Sequence, residues 1–87
     1  MLSQKHGEVD KMIEQLREVA GLGGPAAGLA NELLVLRDQY ESQQLNLEEY
    51  QFLVNQIAEV RAAQELSNDE ISMRYIIAAA QALALFV

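Results

Sequence analysis

Very few residues in this sequence are of a type that could do chemistry. His6 is the only histidine and there is no cysteine, so no second imidazole or thiolate can share a metal ion with it. Ser42, Ser67 and Ser72 have no histidine close in sequence to activate a hydroxyl. Glu48-Glu49 and Asp69-Glu70 are paired carboxylates, but neighbours on a helix point in different directions and do not form a shared acid–base pair. Each pair also falls where a helix is expected to start, and there negative charge complements the helix dipole. Gly21-Leu22-Gly23-Gly24 lacks the Lys-Ser/Thr ending and the preceding strand of a phosphate loop. The expectation is a protein that is not an enzyme, with no catalytic residue, no metal and no cofactor.

Composition narrows the classes further. The 87 residues form one domain, with a net charge of −7 from thirteen acidic and six basic side chains. No basic patch is available for phosphates, so direct nucleic-acid binding is not expected. The acidity suits solubility or a basic partner. The first residues lack the basic and then apolar regions of a signal peptide, and the absence of cysteine fits a reducing compartment. A cytoplasmic location is expected, or a virion if the chain is phage-encoded, which its small, acidic, Ala/Gln/Glu-rich style resembles.

Helical periodicity runs almost throughout, and no segment alternates with period two. Val9, Met12, Ile13, Leu16 and Val19 mark one apolar stripe on a helix over about 4–20. Gly21 to Pro25 form a linker, with Pro25 suited to open the next helix. A helical hairpin follows over 26–66. Its first arm carries Leu29, Leu33, Leu36 and Tyr40 at near-heptad spacing. Its second arm turns Tyr50, Leu53, Val54, Ile57 and Val60 inward. The arm begins at Asn46, with Glu49 three residues on and Leu45 and Tyr50 at the staple positions. The same signature recurs at Ser67, with Glu70 and the pair Leu66 and Ile71, and predicts a last helix over 68–87.

The stretch from Leu33 to Ile57 resembles the short helix–turn–helix module called SHOCT. Tyr40, Leu45, Asn46, Glu48, Glu49 and Tyr50 match its pattern of a leucine-rich helix ending in Tyr, a turn, a polar cap, and acidic residues before an aromatic. The resemblance implies a helical hairpin used in oligomerisation or as an accessory to another module, with no enzymatic activity. Gln43 stands where that family usually has Gly. Either the turn forms regardless, or the two arms fuse into one rod of about 40 residues, which their good helix formers would tolerate.

The last helix is apolar nearly all round, with Glu70, Arg74 and Gln81 as its thin polar line. The 13 residues after Arg74 are too few to span a membrane. Such a helix must be covered either by the other three or by a partner. The expected architecture is therefore an all-α hairpin or small bundle of three to four helices, completed by oligomerisation. Tyr75, Ile76, Ala79, Leu83 and the anchor Phe86 are the expected interface on the last helix. Val35 and Phe52 fall among polar neighbours on the two arms of the hairpin, and with Leu34 they could form a contact patch. Two functions follow. One is a structural or assembly protein working through helix–helix contacts with a protein partner or its own copies. The other is a small acidic regulatory or adaptor protein acting on a larger enzyme or nucleic-acid-binding protein.

Overall fold

The computed structural model describes residues 2–86, with side chains from Gly7 to Phe86. It is all-helical, with no strand among the described residues. Helix α1 spans Leu2–Leu22 and α2 spans Ala27–Glu41. Helix α3 covers 47–65 as α-helix Leu47–Gln56, a wider π-helical turn Ile57–Arg61, and α-helix Ala62–Glu65. Helix α4 spans Glu70–Leu85. Helix α2 lies in the middle, against α1 on one side and α3 and α4 on the other, and α3 packs along α4.

The α1 stripe points into this assembly as its spacing predicts. Leu16 is fully buried, Val9 is buried, and Met12 and Val19 pack against the core. Gly23 takes φ +74 after the end of α1, the left-handed conformation that glycine adopts without a Cβ clash. Pro25 does not open α2. The N-cap is Ala26 and the first helical residue is Ala27, with no side-chain cap.

The two arms of the hairpin are separate helices. The turn closes although Gln43, a non-glycine, must take φ +67. The Gln43 N–H donates to Tyr40 O at 3.1 Å and the Gln44 N–H to Gln39 O at 2.8 Å. Those two bonds make a Schellman closure, which satisfies carbonyls the end of α2 would otherwise leave open. Asn46 then caps α3. Its side chain accepts from the Glu49 N–H at 2.8 Å, and Glu49 accepts from the Asn46 N–H at 2.9 Å. Leu45 is half-buried against the core beside fully buried Tyr50.

The second expected cap is misplaced by two residues. Asp69, not Ser67, caps α4, accepting from the Ser72 N–H at 3.1 Å. The Ser72 hydroxyl donates to its second oxygen at 2.9 Å, and these bonds hold the Asp69 carboxyl below its ordinary pKa. Ile71, expected to form a staple with Leu66, is 84% exposed while Leu66 is buried.

The π turn explains why Val60 does not face inward. Steps of about 3.6 residues from Tyr50 fall on Val54, Ile57, Arg61 and then Gln64 or Glu65. A regular helix would thus aim charged and polar side chains at the core. One extra residue in the turn puts Ala62 and Leu66 inside instead, at 0% and 3% exposure. Arg61 moves to the margin of the core and Val60 moves out, to 44% exposure.

Candidate protein-contact surface

The last turn of a helix leaves carbonyl groups without intrahelical donors. In α4 these are taken by side chains from the hairpin. The Tyr50 hydroxyl donates to Leu83 O at 3.0 Å, Gln51 Nε2 to Ala84 O at 3.0 Å, and Arg37 Nη1 to Phe86 O at 2.7 Å. Arg37 also reaches the Tyr50 oxygen at 3.3 Å and pairs with Glu41 at 3.0 Å. Tyr40 stacks on Tyr50 with ring centroids 4.5 Å apart, and the Arg37 guanidinium lies 5.6 Å and 5.8 Å from the two ring centres. Burial raises the Tyr50 pKa, against the opposing pull of Arg37. Burial also works against the charge on Arg37, but the bonds to Tyr50 and Glu41 more than offset it and its pKa is raised. This cluster fastens α4 to the hairpin.

It also uses up most of the surface expected to bind a partner on α4. Ile76, Ala79 and Leu83 are 0%, 4% and 0% exposed, inside the chain's own core. Phe86 and Tyr75 are half-buried. The Tyr75 hydroxyl is buried with no hydrogen-bond partner among the described residues. Burial, and secondly Glu18, raise its pKa. The large apolar side chains that α4 leaves exposed are Ile71 and Leu85, at opposite ends of the helix.

The hairpin keeps a more coherent apolar surface. Val35 on α2 is 45% exposed and Phe52 on α3 is 66% exposed. Between the arms lies an open groove of about 190 Å³, floored by Leu36, Leu53 and Ile57 and edged by Val35, Gln56, Glu32 and Arg61. Leu34, expected in this patch, is on the other side of α2. It lines a separate groove of about 210 Å³ with Ile13 and Arg17 of α1. Phe52 and Val60 of α3 are also exposed apolar side chains, outside the lining of this groove.

One end of the groove is closed by a charge fork. Arg61 donates from both terminal nitrogens to Glu32, at 2.7 Å and 2.6 Å, and from Nε to Glu65 at 2.9 Å. These bonds, the one to Glu32 first, raise the Arg61 pKa. Glu32 and Arg61 are not singled out by the sequence and Val60 is expected to face inward; Arg61 reaches the edge of the core and Val60 the outside because the π turn forms. The signal was the charge on Arg61 and Glu65 at positions a regular helix would bury.

The described residues contain no group of three or more His, Cys, Asp or Glu able to hold a metal ion. The His6 side chain lies outside the described side chains. No helix among the described residues is long and apolar enough to cross a membrane. Compared with known proteins, the chain matches no family model, no curated protein and no solved structure.

Proposed function

We propose that this chain is a non-enzymatic structural or assembly protein that works through helix–helix contacts made on the α2–α3 face. One observation carries the reading. The fold closes its core with Leu16, Leu29, Leu33, Tyr50, Val54, Ile57, Ile76 and Leu83 fully buried, yet leaves an apolar groove open between α2 and α3 with Val35 exposed on its edge, and Phe52 and Val60 exposed elsewhere on α3. A contiguous apolar patch on a small folded chain marks a contact site, whereas scattered single residues do not. An aromatic side chain standing two-thirds clear of its own fold is the kind of anchor that carries binding energy at interfaces. The helical hairpin supports the same reading through its resemblance to an oligomerisation or accessory module.

A regulatory or adaptor role is the second reading, favoured by the net charge of −7, which would steer a basic partner.

Site-specific photo-crosslinking tests the contact face. A photoreactive residue is placed at Phe52, at Val35, or at Glu14, an exposed position on α1. Protein adducts in the source cells are expected from positions 52 and 35 and not from 14. Equal yields from all three, or none from 52 and 35, would overturn the assignment.

A further inference from the structure

We infer that the groove between α2 and α3 seats an amphipathic helix of basic character from a different protein, rather than a second copy of this chain. The inference rests on the reading of the α2–α3 face as a contact surface and adds the chemistry of what covers it.

Shape comes first. Leu53 and Arg61, the first and last residues of α3 that line the groove, stand eight residues apart, about 10 Å along a helix that includes the wider π turn. A helix that docks through side chains at i, i+3 or i+4, and i+7 presents anchors over about 10 Å. Two turns of such a helix match that length, with Val35 and Leu36 of α2 across the groove from Leu53 and Ile57. No strand is present among the described residues to offer an edge to an extended peptide.

Charge selects the occupant. The α3 arm carries exposed carboxylates at Glu48 and Glu59, outside the lining of the groove. At the closed end a single guanidinium, that of Arg61, is shared by the two carboxylates of Glu32 and Glu65. That end therefore also carries net negative charge. A second copy brings the wrong complement. Of the chain's six cations, Arg37, Arg61 and Arg74 are already paired with Glu41, Glu32 and Glu70. Lys5, Lys11 and Arg17 lie on α1, whose apolar stripe is spent against α2. Two copies meeting groove to groove would set these carboxylates against each other, and juxtaposed like charges disfavour a pairing.

The test uses the full chain and two fluorescent synthetic peptides of about fourteen residues. Both carry Leu at i, i+4 and i+7; one has Lys and the other Glu at the flanking positions. Fluorescence anisotropy is read at about 50 mM and about 300 mM salt, where screening lengths differ roughly twofold. Light scattering gives the mass of the chain alone. The Lys peptide is expected to bind at least tenfold more tightly than the Glu peptide and to lose at least threefold at the higher salt. Phe52→Ser and Val35→Ser should each weaken it about tenfold, with helicity by circular dichroism unchanged because both side chains are exposed. If both peptides bind equally and Phe52→Ser abolishes both, the contact face stands and the basic partner is wrong. A dimer of the chain alone that Phe52→Ser dissolves would make the occupant a second copy and overturn the inference. If neither peptide binds, or if both serine variants leave the Lys peptide bound, the inference and the contact face fall together.

Discussion

The Tyr50 hydroxyl donates to the carbonyl oxygen of Leu83, a residue 33 positions further along, at 3.0 Å. Tyr50 is completely buried, so this bond and the approach of Arg37 at 3.3 Å are what make its hydroxyl tolerable in the core. Tyr50→Phe removes the donor and leaves a carbonyl unsatisfied at the end of α4. The expected cost is about 1–3 kcal/mol, read as a lower unfolding midpoint in urea with an unchanged slope.

The same substitution at Tyr75 should behave oppositely. Its hydroxyl is buried without a partner among the described residues. Tyr75→Phe therefore deletes a polar atom that gains nothing, and stability should hold or rise by up to about 1 kcal/mol. Both tyrosines also have pKa values raised above 10.0, mainly by burial. The folded state favours the protonated phenol more than the unfolded chain does. Their contribution is thus fully present below about pH 10 and lost as pH rises through the folded values. From neutral pH upward, unfolding midpoints should be flat to about pH 10 and then fall, and the double Phe variant should flatten that fall.

Gln43 is held at φ +67, where a side chain costs roughly 1–2 kcal/mol. Glycine avoids that cost but loses about 0.5–1 kcal/mol of unfolded-chain freedom. Gln43→Gly should therefore stabilise the chain by about 0.5–1 kcal/mol, measured by thermal or urea unfolding. Gln43→Val should destabilise it, because a branched side chain suits the left-handed region least.

The caps give a three-way comparison. Asn46→Ala should cost about 0.5–2 kcal/mol, since it opens a complete capping box. Asp69→Ala should also lower the midpoint, whereas Ser67→Ala should leave it unmoved. Asp69 adds a pH signature. Its folded pKa is depressed by Ser72, so its contribution is present above the ordinary carboxylate range and lost as pH falls through the folded value. An acid-side loss of stability should shrink in Asp69→Asn, which keeps the acceptor without the titration.

Much of this fold was legible in local chemistry. The stripe from Val9 to Val19, the Gly23 stop and the Asn46–Glu49 box are all signals contained within a few residues. Asp69 was missed because Ser67 and Glu70 have the spacing of a box. The choice between them depends on Ser72, which completes the Asp69 cap. The contact surface was only partly legible. Val35 and Phe52 stand out as apolar residues among polar ones. The apolar residues of α4 look like an unpaired face until Arg37, Tyr50 and Gln51 bring the hairpin onto it. Val60 could not be placed by a constant 3.6-residue period, because the period changes inside α3.

That change of period gives the sharpest test. The turn Ile57–Arg61 holds one residue more than a regular helix needs. Removing Glu59, which is exposed, should let α3 close as a continuous α-helix. Ala62 and Leu66 would then fall at the inward positions that Arg61 and Glu65 occupy by regular counting from Tyr50, so the core register survives. Deleting Asp38 from α2 has no such reserve. Everything after it would rotate by about 100°, carrying Tyr40 off Tyr50 and leaving Leu33 without its continuation. The Glu59 deletion should keep its helicity, with stability within about 1 kcal/mol of the parent chain. The Asp38 deletion should cost more than about 3 kcal/mol, the range of badly disrupted cores. If both deletions are equally damaging, the wide turn is not what sets the inward face of α3, and the outward placement of Val60 loses its explanation.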